Sequence, residues 1–362
     1  MHSLSIESRY GIVLAEAANY FRKIALEIDN NPNAILHHCN HSSMNILTHL
    51  AKINCFDRVK MYEALAYGDP GVLLACPGSS LSGFLIEALG DECQKKIFYE
   101  QLENTTRTFL AVTEPQHGSN LSEMKTRIHS NKLCGEKWLV SHGATGELGI
   151  VIIKTGDGPL CARALMFTSE YLKQSNHIQR RLLPMIGLRG ACLSRIIFNE
   201  LTIEPDYLLG NHLKPIEHGM MALIKTFNQM RPCVGALAIG VAQAAVDYVS
   251  DFLEISKYEN TILHLQSLIN VARNLLYIAA KEIDQNSLDS GLSSLAKARA
   301  TQTAEIVITS IFDKLSATHL LMHPLLMKWY RDVWGFEYME GVRNIHQLNV
   351  FNEYRKKMNL VA

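Results

Sequence analysis

Two stretches of the chain concentrate residues able to do chemistry. The first is Thr113-Glu114-Pro115-Gln116-His117-Gly118-Ser119-Asn120, at the end of the apolar run Phe109–Thr113. Its hydroxyls and glycine-freed amides could cradle a planar heterocycle or a pyrophosphate. A capped loop between strands is the plainer alternative. The second lies near the C-terminus, where Arg331-Asp332 is followed by Tyr338-Met339-Glu340-Gly341. A lone carboxylate among apolar and aromatic neighbours has its pKa raised toward neutrality, which suits it to removing a weakly acidic proton from carbon. The glycine beside it permits close approach of a ligand. A solvated glutamate at a helix end is the competing reading. Gly78-Ser79-Ser80-Leu81-Ser82-Gly83 also sets serines between glycines. No strand precedes it, so neither a serine-nucleophile turn nor a phosphate loop is expected there.

The elements that must position these residues come in three blocks. From Ile6 to about Arg107 the texture is helical, broken at Asn30-Asn31-Pro32-Asn33 and Gly68-Asp69-Pro70-Gly71. Between Phe109 and Gly210, short β-rich runs (Phe109–Thr113, Lys137–Ser141, Ile150–Lys154, Ala164–Phe167, Arg195–Phe198) alternate with Gly, Asn and Asp turns. After Glu217 helical periodicity returns in three long segments, carried by Val234, Leu237 and Val241, by Leu265, Leu268 and Ala272, and by Ala300, Ala304 and Val307. The expected class is α+β: an N-terminal helical domain over 1–108, a β-barrel-like middle domain over 109–213, and an antiparallel helical bundle over 214–362. There is no GxGxxG or GxxxxGK[ST] motif, so dinucleotide-binding and P-loop folds are not expected.

Composition narrows the partners. The 362 residues carry 35 Lys+Arg against 35 Asp+Glu, which leaves no global field to attract nucleic acid or an anionic bilayer. No stretch reaches the roughly 18 uninterrupted apolar residues that spanning a membrane requires, and a cytoplasmic location is expected. The eight cysteines show no CxxC pair, so no structural metal site is read from their spacing.

Over nearly its whole length the chain resembles the acyl-CoA dehydrogenase family. The matching segments, in order, are Tyr62–Gly68, Leu110–Asn120, Lys137-Trp138-Leu139, Met185–Arg189 through Pro205, Leu208–Gly210, Arg231–Gln243, Ala279–Asp284, Ala296-Lys297, Arg331-Asp332 and Glu340-Gly341. The resemblance implies an FAD enzyme that converts an acyl thioester to its α,β-unsaturated form. Glu340 falls at the position of the base that takes the α proton, flavin N5 takes the β hydride, and Arg231 matches an arginine beside that base. It also implies flavin contacts from Thr113, with Leu110 and Val112 in the same run, from Gly118 and Ser119 along the pyrophosphate or thioester, and from Trp138, with Val140 and Ser141 following. The thioester is that of CoA or of an acyl or peptidyl carrier protein in a specialised biosynthetic pathway, and a homodimer or homotetramer is expected.

Several departures from the family pattern fall on the flavin site. Val140 stands where a hydroxyl residue usually hydrogen-bonds flavin N5, Val342 where a threonine follows Glu-Gly, and His117 and Asn120 where alanine and aspartate are usual. The stretch Phe252–Leu265 has neither the arginine nor the Phe-Gly pair that reach a neighbouring subunit's FAD, and Ser316-Ala317-Thr318-His319 replaces a glycine-rich loop. The family's Pro-x-x-Tyr-Gly-Gly-x-Gly loop is missing between Ala51 and Tyr62. The alternative these changes suggest is a protein of the same fold with weakened or lost FAD binding, acting as partner subunit, scaffold or non-redox enzyme.

Overall fold

The computed structural model describes residues 5–47, 50–116, 118, 123–158, 161–173, 176–253 and 255–359. His117, Ser119 and Asn120 lie outside them. Short helices α1 (Ile6–Tyr10) and α3 (Ile35–His38) flank the long α2 (Ile12–Asn30), and α4 (Cys55–Gly68), α5 (Pro70–Ala75), α6 (Ser80–Leu89) and α7 (Glu92–Glu100) complete the first block. Asn54 and Asp69 cap α4 and α5, each accepting a backbone N–H from the first turn, and Pro70 begins α5 where its missing N–H costs nothing.

The middle block is a mixed seven-stranded sheet of β1 (Thr108–Ala111), β2 (Arg127–His129), β3 (Lys132–Val140), β4 (Leu148–Lys154), β5 (Ala162–Phe167), β6 (Ile178–Leu182) and β7 (Ser194–Thr202), with the one-turn helix α8 (Ser169–Leu172) after β5. Its order is β1-β4-β2-β3-β7-β6, with β5 on the other edge of β4. β4 pairs in parallel with β1 and β2, and the remaining ladders are antiparallel. Ile150–Ile153 are buried on both faces, which is why β4 reads as an unbroken apolar run. Phe109 and Ala111 face one apolar cluster, whereas Leu110 and Val112 face another, shared with α6, α7 and Ala222 and Leu223 beyond the sheet.

The last block comprises α9 (Gly219–Ser250), α10 (Ile255–Gln285), α11 (Ser290–Phe312), α12 (Ala317–Met322), α13 (Pro324–Val333) and α14 (Arg343–Asn359). The apolar stretch of α9 is long enough to cross a bilayer, yet most of it is buried among the other helices, as in the core helix of a packed domain. One apolar core joins α2 and α4 of the first block to α9, α10, α11 and α13 of the last. The α4–α9 crossing is tight because Gly240 has no side chain, and a Cβ there would collide with the Glu63 carbonyl. Sequence patterning had separated these helical blocks, but tertiary packing merges their cores.

Lys328 locks the three blocks together. Its ammonium, on α13, donates to Asp69 at 2.8 Å and to Asp332 at 2.6 Å, and the other Asp332 oxygen accepts the Leu188 N–H at 2.6 Å. Asp69 belongs to the first block, Leu188 to the segment before β7, and Asp332 to α13. Next to this network Arg331 donates to the Ile186 carbonyl at 2.7 Å and to Asp29 at 2.6 Å. The Arg331-Asp332 pair therefore holds domains together.

Candidate active site

Glu340 sits on the turn between the 3₁₀ segment Phe336–Tyr338 and α14, with φ of +49° followed by +107° at Gly341. A left-handed glutamate is costly and persists only where its surroundings hold it. Lys297, buried on α11, donates to the Glu337 carbonyl at 2.8 Å and to the Gly341 carbonyl at 2.7 Å, so one ammonium spans the turn. The Glu337 carboxylate accepts the Arg343 N–H at 2.7 Å, and Arg343 also pairs with Glu305 at 3.0 Å.

Arg231 braces the turn from α9. Pro232 has no N–H to offer the Asn228 carbonyl, and the helix here is fixed by side chains instead. Asn228 donates to the Ser287 carbonyl at 3.2 Å and accepts from Arg231 at 2.7 Å, while the Arg231 Nε donates to the Glu340 backbone carbonyl at 3.2 Å. Arg231 thus grips the main chain of the glutamate and leaves its carboxylate free. Glu340 Oε2 is buried with no hydrogen-bond partner. Burial raises its pKa, with Lys297 and Arg231 pulling the other way. The same burial draws Lys297 down to about 8 and Arg231 to about 10, against the attraction of nearby carboxylates. A half-buried glutamate on a braced backbone, with one carboxylate oxygen enclosed and unpaired, can accept a proton from a substrate carbon.

His346, one turn into α14, is fully buried against Gly341, and neither ring nitrogen has a partner. Burial, then the charges of Lys297 and Arg231, hold it down to about 3, so the ring is neutral. His346, Lys297 and Asn228 were not among the site residues read from the sequence. The signal for Lys297 was present: a lysine between Ala296 and Ala298, in helical phase with Ala300 and Ala304, must bury its charge. Lys297→Met should orphan two carbonyls, costing about 1–3 kcal/mol for each left unsatisfied. Thermal melting should register that loss, and turnover should fall while any bound chromophore is retained.

A second group forms around the end of β1. The Trp138 N–H donates to the Thr113 carbonyl at 2.8 Å, and a Cβ on Gly118 would lie 3.7 Å from the Thr113 methyl. Glu114 turns inward. It accepts from Lys137 at 2.9 Å, from the Thr126 N–H at 3.0 Å and from the Lys125 N–H at 2.7 Å, while Lys137 also donates to the Val112 carbonyl at 2.9 Å. Burial alone would raise the Glu114 pKa, but Lys137 and the amides outweigh it and hold it low. Burial brings Lys137 to about 8 against the pull of Glu114. This internal pair fixes the loop and leaves Thr113 half-buried at its edge.

The Trp138 indole N–H donates to Glu136, which also binds Arg195, whose guanidinium lies 5.7 Å from the indole centroid. A bulge between Lys137 and Val140, with Leu139 at φ +56°, resets the alternation of β3. Val140 consequently packs in the sheet core with Phe109 and Ile196, and the half-buried Ser141 follows it. Leu110 is partly buried and Val112 buried, both on the α6–α7 side of the sheet. The candidates read from the sequence therefore fall into two groups: Glu340 with Arg231, and Thr113 with Gly118 and Trp138.

Ser316–His319 forms the capped start of α12, with Ser316 accepting the His319 N–H at 3.3 Å. His323 stacks on Phe252 at 4.0 Å. The region where the family pattern has a glycine-rich loop is thus filled by a helix end and packed rings.

Residues 217–353 match the model of the acyl-CoA dehydrogenase C-terminal domain. The chain is 23 % identical over 310 residues to a short/branched chain specific acyl-CoA dehydrogenase of Bos taurus, covering 81 % of this chain and 70 % of that one. Its fold is that of a glutaryl-coenzyme A dehydrogenase solved with glutaryl-CoA (TM-score 0.80, 19 % identity, 98 % and 97 % of the two chains covered). It is likewise that of the prolyl acyl carrier protein oxidase AnaB (TM-score 0.80, 16 % identity, 94 % and 97 % covered). The helix–sheet–bundle order and the matched segment agree: residues 217–353 carry an acyl-CoA dehydrogenase C-terminal domain, and the chain has the acyl-CoA dehydrogenase fold.

Proposed function

We propose that this protein is an FAD-dependent dehydrogenase that oxidises an acyl thioester to the α,β-unsaturated thioester, with Glu340 as the base for the α proton. The observation that carries the reading is the buried, unpartnered Glu340 Oε2 on a left-handed turn clamped by Arg231 and Lys297. The residues present fit a flavin in part. Thr113, Gly118 and Trp138 make one contiguous edge for an isoalloxazine, whereas Val140, inside the sheet core, offers no hydrogen bond to it. FAD held there would supply the two-electron acceptor for the β hydride. The chain itself supplies the carboxylate on a turn whose backbone Arg231 and Lys297 brace. The Glu340 backbone N–H adds a donor for the thioester oxygen as enolate charge develops.

The substrate is the thioester of CoA or of a carrier protein. Among the structures sharing this fold is a prolyl acyl carrier protein oxidase, which supports the carrier option. A homodimer or homotetramer is part of the reading. Leu348, Phe351, Tyr354 and Met358 project an exposed apolar stripe along α14, and Leu321 and Met322 extend apolar surface on α12. Light scattering that returned a single-chain mass would remove that part.

The packed Ser316–His319 helix end and the buried Val140 favour a second reading, in which FAD binding has been lost and the fold serves as a partner subunit, scaffold or non-redox enzyme. Visible absorption of the purified protein separates the two. Flavin bands that bleach anaerobically on adding an acyl thioester are expected. A colourless protein that resists reconstitution with FAD would leave only the second reading.

A further inference from the structure

The sequence shows no CxxC pair, yet the fold brings two distant cysteines together. Cys55 opens α4, Cys233 lies inside α9, and both sulfurs converge on one atom. The Gln229 carbonyl oxygen is 3.5 Å from Cys55 Sγ and 3.7 Å from Cys233 Sγ, so each thiol can donate to it. The sulfurs are also within hydrogen-bonding reach of each other. Both thiols are free and nearly sealed, at 2 % exposure for Cys55 and 0 % for Cys233. A cavity of about 440 Å³, between the start of α4 and the α9–α10 pair, reaches them: Cys55, Arg58 and Gln229 line it. Sulfurs placed this way meet only a reactant small enough to pass through that cavity.

Arg58 makes the pair unequal. It is 1 % exposed, its Nη1 donates to the Leu50 and Ile53 carbonyls at 3.1 and 2.7 Å, and its guanidinium also reaches the Cys233 sulfur. Burial alone would push the Cys233 thiol up, but the Cys55 S–H and the Arg58 charge outweigh it and hold Cys233 below the ordinary thiol range. Cys55 moves the other way, pushed up by Cys233 and by burial. Tyr62 and Glu340 also face Cys233, and the Glu340 charge opposes its ionisation. Asp284 is committed to α4, one oxygen accepting the Cys55 N–H at 2.6 Å and the other the Phe56 N–H at 3.0 Å. A thiolate beside a protonated second thiol is poised for oxidation.

We infer that Cys55 and Cys233 form a redox-modification site that a small hydroperoxide oxidises to a disulfide between α4 and α9. The Cys233 thiolate attacks the peroxide, the O–O bond breaks, and the leaving oxygen takes up a proton to depart as alcohol, or as water from hydrogen peroxide. Cys233 is then a sulfenic acid. Cys55 attacks its sulfur, the S–S bond forms as the S–O bond breaks, and the hydroxyl leaves as water with the Cys55 proton. Two thiols lose two electrons in all, the peroxide gains them, and a thiol reductant reverses the change. This chemistry uses neither a thioester nor a flavin, so it stands or falls independently of the role of Glu340. The disulfide would tie α4 to the stretch of α9 that carries Arg231.

Hydrogen peroxide and peptide mapping without reductant test it, on the full chain carrying Cys93→Ser and Cys134→Ser to remove the exposed thiols. The expected product is a linked Cys55–Cys233 peptide lighter by two hydrogens, restored to two thiols by dithiothreitol. Adding Cys55→Ser should strand Cys233 as a sulfenic acid that dimedone labels, whereas with Cys233→Ser the labelling of Cys55 should be at least roughly tenfold slower. Arg58→Lys should keep the linkage, and Arg58→Gln should slow it by roughly tenfold. The linkage rate should level off below about pH 8.5, the ordinary thiol value, because Cys233 is already ionised there. Peroxide that yields no Cys55–Cys233 peptide, or dimedone found on Cys55 rather than Cys233, overturns the site. Linkage at an undiminished rate in a folded Arg58→Gln overturns the activation of Cys233 by Arg58. If Arg58→Gln does not fold, the pH profile decides: a rate still climbing through pH 8.5 overturns that activation, and an earlier plateau supports it.

Discussion

Replacing Glu340 with glutamine is expected to lower turnover by roughly 100- to 10,000-fold, the range for losing a positioned general base, while flavin and thioester affinities stay near wild type. Glutamine keeps the shape, the Arg231 bond to the residue's own carbonyl and the Lys297 bond to the adjacent Gly341 carbonyl, so the loss isolates the proton acceptor. Stopped-flow reduction under anaerobic conditions reads it directly, and unchanged reduction rates would move the base role to another residue. The pH dependence follows from the raised pKa of the buried carboxylate. The base acts only when ionised, so kcat should climb with pH through a midpoint above the usual glutamate range. Stability should run the other way. A native pKa raised above the unfolded value gives a contribution that is complete below about pH 4.3 and is lost as pH rises through the native pKa. Glu340→Gln is neutral throughout. It should therefore melt higher than wild type above that window and alike below it, and melts at pH 4 and pH 8 compare the two.

Lys328→Met should be the most damaging substitution outside the active site. It removes the one cation that, among the described residues, pairs with both Asp69 and Asp332, which are fully buried, in a network that also holds the Leu188 N–H. Breaking a buried ion cluster by deleting one partner costs about 3–5 kcal/mol, because the remaining charges keep their desolvation cost. The two carboxylates raise the Lys328 pKa although burial opposes them, so neutralising the lysine does not relieve the cluster at any ordinary pH. Chemical denaturation should show that loss as a lower midpoint with an unchanged m-value. A shift under 1 kcal/mol would mean that the three blocks are held by their apolar cores alone. Replacing Asp69, Lys328 and Asp332 together by apolar residues should recover much of the lost stability, since burying no charge is often no worse than burying a paired one.

The two substitutions expose different uses of burial in one helical region. At Lys328, charges are buried and mutually satisfied, and they hold blocks together. At Glu340, one carboxylate oxygen is enclosed and left unpaired, while Arg231 bonds the Glu340 backbone carbonyl and Lys297 the carbonyls of Glu337 and Gly341.

Much of this architecture was legible in the sequence. Periodicity located α9, α10 and α11, because a long amphipathic helix repeats its apolar face many times. The apolar runs of β1, β4 and β5 stood out for a related reason: strands buried on both faces become continuous hydrophobic stretches. β2 and β6 were missed, since Arg127–His129 and Ile178–Leu182 are short and mostly exposed, and ladder bonds rather than apolar pattern define them. The apolar surroundings and the adjacent glycine made Glu340 a candidate beside the solvated helix-end reading, and the resemblance to the acyl-CoA dehydrogenase family singled it out. The left-handed φ at Glu340 could not be read, because nothing local favours it.

What the chain order alone determined was the succession of helical, β and helical blocks and the charge balance. Only the tertiary structure decided that the outer blocks share one core, that Val140 turns inward at a bulge, and that Lys297, from a helix over forty residues upstream, ties both sides of the Glu340 turn. The physical reason is range. Propensity and periodicity act over one or two turns of chain, whereas the cost of leaving a buried charge or carbonyl unpaired is settled by whichever distant group packing brings within 3 Å.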